Sequence, residues 1–267
     1  MPKINRWGLL LFFLFLLPIV IGQFPFPNNQ LEQEAPAPAP AQKLVAYAAP
    51  VMEIAKPNTE VLMLFTHSHE AYKPVAKEKT GMQAVYDEHI NIYSLQELIH
   101  HYLQLNGVKS NVLDVDVMNV MKQKGAAFHE AYRVVRPYLQ EELTTKDYQL
   151  VLDIHRDSAP AAVTTLKVGE ERYAKIAFVI GTEHPSHAWN LAYAEELSAK
   201  LNSIVPGISR GVMKKEGAGV NGIYNQDLSP AMILVELGGI DNTEEELQRT
   251  LAVLAQAIAK IFVSEQL

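Results

Sequence analysis

The sequence predicts an α/β fold, one mainly parallel sheet flanked by helices, with a membrane helix ahead of it at the N-terminus. Three observations carry this. Four short apolar runs have strand length, stretches of helical spacing alternate with them, and a long apolar run stands at the extreme N-terminus behind positive charges. Alternating strands and helices bury a parallel sheet on both faces. A chain of 267 residues accommodates one such domain and an N-terminal appendage.

Lys3 and Arg6 precede the apolar stretch from Trp7 to Gly22, and Glu32 and Glu34 follow it. The stretch is somewhat short of the about 20 residues of a typical spanning helix. Its place and flanking charges mark an export signal or anchor, residues 1–22, with the remainder of the chain outside the cytoplasm. The bulky Gln23-Phe24-Pro25-Phe26-Pro27 offers no small-residue cleavage site, so a retained single-pass anchor in the cell membrane is expected. Residues 23–43 alternate Ala and Pro around Pro36, Pro38 and Pro40, the composition of a semi-extended spacer.

The folded domain is expected over residues 44–267. Residues 61–65 (VLMLF), 149–154 (QLVLDI), 175–180 (KIAFVI) and 231–237 (AMILVEL) are continuous apolar runs, as in strands buried on both faces. Residues 110–115 are a further short strand. Residues 91–106 have helical spacing and stop at Gly107. Residues 128–143 form a second helix, bent or interrupted near Pro137; residues 189–202 form a third, and 243–262 a long terminal one.

The net charge of -7 disfavours nucleic acid as a partner, because phosphate binding relies on Lys and Arg. The absence of cysteine removes disulfides, thiolate ligands and thiol nucleophiles, so any metal rests on His, Asp and Glu. No Gly-x-Ser-x-Gly elbow, phosphate loop or His-Glu-x-x-His helix is present. The glycine-rich residues 217–222 lack a strand–turn–helix setting and read as a loop able to rim a cleft.

Ligands of open α/β sheets bind beyond the carboxyl ends of the strands. There, VLMLF is followed by Thr66-His67-Ser68-His69-Glu70, QLVLD by Ile154-His155-Arg156-Asp157-Ser158, and AMILVEL carries Glu236 near its end. Three strands thus deliver imidazole and carboxylate to one edge. That is the donor chemistry of a catalytic zinc site, with a further carboxylate available as general base. Each piece also has a plain reading. A histidine after a strand is often only hydrogen-bonded, and Glu236 would be a structural ion pair if Arg156 or Arg210 met it.

Residues 66–72 (THSHEAY), 152–158 (LDIHRDS), 224–230 (YNQDLSP) and 234–243 (LVELGGIDNT) resemble stage II sporulation protein P, a family of peptidoglycan hydrolases of endospore-forming bacteria. More distantly the same blocks are similar to zinc-dependent N-acetylmuramoyl-L-alanine amidases. The resemblance implies zinc as cofactor, His155 as a ligand and Glu236 as general base. It puts the first histidine ligand at His67 by the Thr-His block, or at His69 by straight alignment to the amidases. The carboxylate ligand falls on Glu70, ranked ahead of Asp87 and Glu88. By its own chemistry, Arg156 is a candidate for oxyanion stabilisation, for binding a stem-peptide carboxylate, or for a structural ion pair. The implied substrate bond joins the lactyl group of muramic acid to the first alanine of the stem peptide, with crosslink cleavage as a second activity. A transglycosylase, stage II sporulation protein D, is the implied partner. The competing readings are a metallo-carboxypeptidase of stem peptides and a non-enzymatic, membrane-tethered wall-binding scaffold.

Overall fold

All four apolar runs become strands of one sheet in the computed structural model, which describes residues 59–262. The chain divides into two units, Met1–Lys43 and Leu44–Leu267, and everything described belongs to the second. The expected anchor (1–22), spacer (23–43) and first residues of the domain lie outside the described residues. Among the described residues no helix is long and apolar enough to cross a membrane.

The first half of the domain holds β1 (Glu60–Leu64), α1 (Lys73–Thr80), α2 (Gln96–Leu105), β2 (Lys109–Val112), α3 (Val117–Lys124) and α4 (Ala131–Thr145). β3 (Leu150–Asp157), a hairpin of β4 (Thr165–Val168) and β5 (Glu171–Ala174), and β6 (Ile176–Gly181) follow. The chain continues through α5 (His187–Ile204), β7 (Ser209–Lys215), β8 (Met232–Gly239) and α6 (Glu244–Phe262). The main sheet has the order β2-β1-β3-β8-β6-β7. All its neighbours are parallel except β6 and β8, which are antiparallel. The expected mainly parallel sheet is therefore mixed at one junction.

Alternation along the strands sorts the core into two layers. Leu62, Leu64, Val151 and Met232 pack on Val117 and Met121 of α3 and on Val135 and Leu139 of α4. Met63, Leu152, Ile154, Ile233 and Val235 pack on α2, α5 and α6 from the other side. Each buried Leu, Ile or Val contributes about 1.5–3 kcal/mol, so these two layers fix the strands that carry the site.

Two details depart from the sequence reading or explain it. α4 runs unbroken through Pro137, where a bend or an interruption was expected. Pro137 is exposed, so its missing N–H removes one hydrogen bond without disturbing the buried stripe. The Gly238-Gly239 pair at the end of β8 is dictated by space. Gly238 has φ +64°, and a Cβ on Gly239 would lie 2.2 Å from the Ala159 carbonyl oxygen.

Candidate functional site

β1, β3 and β8 are adjacent and parallel, so their carboxyl ends open on one edge. His155 and Glu236 are register partners across β3 and β8, which sets them side by side. Alternation places Asp153, His155 and Glu236 on the face covered by α3 and α4. Beyond β1 the chain turns tightly: the Glu70 N–H donates to the His67 carbonyl at 3.0 Å, folding Glu70 back toward β3. Glu70 Oε2 accepts the Arg156 backbone N–H at 2.7 Å and lies 3.8 Å from His155 Nδ1.

His67 completes the group. Its ring centre is 5.2 Å from that of His155, and it stacks on Phe128 at 4.3 Å. Tyr132 of α4 lies across both imidazoles, edge-on to His67 at 5.6 Å and stacked on His155 at 6.2 Å. His67 Nδ1, His155 Nε2 and Glu236 Oε2 are buried without a hydrogen-bond partner. Buried polar atoms are nearly always satisfied, so three orphans in one cluster mark a place built for something besides folding.

The electrostatics agree. Burial, then the neighbouring His155, hold His67 down to about 3, so its imidazole is neutral and free to donate a lone pair. Burial alone would depress His155, but the carboxylates of Asp153, Glu70 and Glu236 outweigh it and raise the ring to about 9. Burial pushes Glu70 up, and pushes Glu236 up to about 7 against the opposing pull of His155. The proton on His155 thus occupies a hollow lined by carboxylates, the electrostatic setting of a cation.

The structure brings together His67, Glu70, His155 and Glu236 and leaves the other candidates apart. His69 turns to Asp116, with Nε2 at 3.0 Å from its carboxylate. Asp87 caps the backbone N–H groups of His89 and Ile90, both at 2.8 Å, and Glu88 pairs with Lys122 at 2.6 Å. Glu236 is no ion pair with an arginine: Arg210 meets Asp157 at 2.6 Å. The Arg156 guanidinium, offered as a catalytic group by the sequence, donates to the carbonyls of Val85 at 2.8 Å and Asp157 at 3.3 Å. These bonds tie the loop carrying Val85 and Tyr86 to the end of β3, where the register shifts between His155 and Asp157.

A cleft of about 510 Å³ adjoins the cluster, lined by His69, Tyr86, Asp87, Glu88, Met118 and Phe128. Tyr86 and Phe128 are about half exposed there. An apolar wall with a few polar groups is the usual character of a ligand site.

Three residues of the cluster were not singled out from the sequence. Asp153 is fully buried and bonded to Thr66. Its signal was available, since a charge inside LVLDI calls for the same question as Glu236. Tyr132 comes from a helix remote in sequence and had no signal. Tyr224 packs edge-on to Tyr132 at 5.2 Å. Tyr224 and Asn225 have φ of 54° and 57°, the non-glycine residues with positive φ among those described. Asn225 holds that conformation by donating to the Tyr132 carbonyl at 2.9 Å and accepting from Arg136 at 3.0 Å. This accounts for the YNQD part of the sequence block.

Among the described residues no three His, Asp or Glu side chains stand drawn together as a finished ligand cage. His67, Glu70 and His155 nevertheless supply two imidazoles and a carboxylate as neighbours, with an orphan nitrogen among them. That donor set fits a divalent cation of the borderline class.

The family model of Stage II sporulation protein P matches residues 23–259. Stage II sporulation protein P of Bacillus subtilis (strain 168) is 32% identical over 203 residues, covering 76% of this chain and 51% of that protein. The chain therefore spans about half the length of this curated relative. Among solved structures, the CwlD amidase of Clostridioides difficile in complex with the GerS lipoprotein aligns with a TM-score of 0.45 at 13% identity, over 76% of this chain and 98% of that one. An N-acetylmuramoyl-L-alanine amidase from Clostridium difficile 630 aligns with a TM-score of 0.45 at 11% identity, over 79% of this chain and all of the other. Murine aminoacylase 3 gives 0.44 at 16% identity, over 78% and 66%.

Proposed function

The chain belongs to the stage II sporulation protein P family, and on that premise we propose that it is a zinc-dependent peptidoglycan hydrolase of the N-acetylmuramoyl-L-alanine amidase type. The observation that carries the reading is the convergence of His67, Glu70, His155 and Glu236, three of them with orphaned buried atoms, at the carboxyl edge of three adjacent strands.

His67, Glu70 and His155 would hold the zinc. Bound there, zinc supplies a Lewis acid for the scissile carbonyl and lowers the pKa of water. Glu236 is the general base. Its unpartnered Oε2 is free to take a proton from the attacking water and hand it to the leaving amine, and a carboxyl raised toward 7 suits both transfers. Tyr132 and Phe128 wall the two imidazoles and keep bulk water from them. The cleft lined by Tyr86 and Phe128, whose rings meet edge-on at 5.8 Å, would give the stem peptide an apolar seat near His67. Arg156 serves by fixing the Tyr86 side of that cleft. The apolar run before Gly22 supports a single-pass tether with the domain on the outer side of the membrane, where peptidoglycan and a transglycosylase such as stage II sporulation protein D would meet it.

The test is digestion of peptidoglycan sacculi by the full chain, with and without a zinc chelator, with the products identified by mass spectrometry. Chelator-sensitive release of intact stem peptides is the expected result. Release of single terminal amino acids would replace the reading by a carboxypeptidase, and no release from a zinc-free protein would replace it by a wall-binding scaffold.

A further inference from the structure

Asp153 has no step in the mechanism above, yet its carboxylate is held more firmly than any other in the cluster. It is fully buried in β3, two residues before His155. Oδ1 accepts the Thr66 backbone N–H at 3.0 Å and Oδ2 accepts the Thr66 hydroxyl at 2.7 Å. Oδ1 also lies 3.0 Å from His155 Nε2, a close charge contact at an angle outside that of a linear hydrogen bond. No Lys or Arg pairs with it among the described residues.

A carboxylate taken out of water is expensive unless it is paired and hydrogen-bonded. Its strand neighbour on the same face, Val151, shows that an apolar residue serves the packing. The charge at 153 therefore has a use other than holding the sheet together. Its position gives that use. It bridges the end of β1, one residue before His67, to the imidazole on β3.

We propose that Asp153 is the positioning residue for His155: its carboxylate takes the Nε2 side of the ring and turns Nδ1, the nitrogen facing Glu70, toward the metal. A carboxylate behind a ligating imidazole fixes its tautomer and orientation and raises its basicity. Thr66 keeps that carboxylate from swinging into the ligand set, and through it one buried group sets the spacing between the two strand ends that carry His67 and His155. The inference rests on the zinc reading above.

The test is the zinc affinity of the full chain, by competition with a chromogenic chelator, for the wild type, Asp153→Asn, His155→Ala and the double variant. Asp153→Asn is expected to keep its far-ultraviolet circular dichroism and to bind zinc about 10- to 100-fold more weakly. In the His155→Ala background the same substitution is expected to change zinc affinity by less than about twofold, because the two side chains act as one unit. Equal affinities of wild type and Asp153→Asn would overturn the proposal, and so would losses that simply add in the double variant, since Asp153 would then act on the fold and not through His155. Should Asp153→Asn fail to fold, Thr66→Val keeps the carboxylate and removes its hydroxyl anchor; a several-fold weaker zinc site is expected, and an unchanged one overturns the proposal. A wild type that binds no zinc would remove the zinc reading itself, whereas a zinc-binding wild type with an indifferent Asp153→Asn removes this inference alone.

Discussion

Two buried polar clusters sit at opposite ends of the motif around β8, and they are built differently. Past the Gly238-Gly239 turn, Asn242 accepts the Gly239 N–H at 2.7 Å and donates to Thr165 at 2.9 Å and Glu246 at 2.6 Å. Glu246 also takes the Arg172 guanidinium at 2.6 Å, and Thr250 donates to the Ala174 carbonyl at 2.8 Å. These contacts close the turn and tie the β4–β5 hairpin to α6. Three residues before Gly239, Glu236 leaves an oxygen unpartnered, beside an imidazole with an unpartnered nitrogen. A satisfied buried network specifies a fold, and an unsatisfied one is a standing penalty that persists where a ligand or a reaction uses it. On the function proposed above, the same sequence block serves scaffold and chemistry with neighbouring residues.

The largest expected effect breaks the chemical half of this comparison alone. Glu236→Gln is expected to lower kcat on sacculi by about 10²–10⁴-fold, the span of a positioned general base. Its zinc content and melting temperature are expected to stay near wild type. Turnover within a few-fold of wild type would end the general-base role. The converse substitution, Asn242→Ala, strands the Gly239 N–H and Glu246. It is expected to lower stability by about 1–3 kcal/mol in denaturant titrations while activity per folded molecule holds. A drop in turnover without a drop in stability would erase the division between the clusters.

A smaller effect concerns pH. In zinc-free protein His155 binds its proton more tightly folded than unfolded, because its value rises from 6.5 to about 9. Its contribution to stability is therefore full below about pH 6.5 and is lost as pH rises through about 9. The melting temperature of the zinc-free chain should fall across that window and flatten in His155→Ala; a profile unchanged by that substitution would contradict the charge assigned to the ring. The smallest effect separates two histidines of one short run. His69 is engaged with Asp116, so His69→Ala should leave zinc affinity nearly unchanged, while His67→Ala should lose most of it. The reverse order would move the ligand to His69.

Strands buried on both faces were legible in the sequence because burial leaves an unbroken apolar run: VLMLF, LVLDI and MILVEL each read as strand without help from the fold. β7 was not, since SRGVMKK is an edge strand only partly buried along its length, with a glycine at φ +84°. α1 was not, because only Val75 and Ala76 of KPVAKEKT are buried and its lysines mask the pattern. The antiparallel junction of β6 and β8 depends on which strands become neighbours, and local periodicity is blind to that. At the site, Glu236 was legible as a charge in an apolar strand and His155 as an imidazole at a strand end. The choice between His67 and His69 was not, because a tight turn decides which of two closely spaced side chains faces β3. Asp153 carried the same signal as Glu236 and went unread. Tyr132 and Tyr224 reach the site through packing of α4 on the sheet and through a left-handed turn, neither of which leaves a local mark.

The most direct test of the proposed metal centre is X-ray absorption at the zinc edge of the full chain loaded with one equivalent of zinc. The proposed site requires a shell of two imidazoles and one carboxylate, with Zn–N ~2.0–2.1 Å and room for a water. Loss of one imidazole in each of His67→Ala and His155→Ala is expected as well. A shell of oxygen atoms alone, or one unchanged by either substitution, would contradict the assignment of this cluster as the catalytic site.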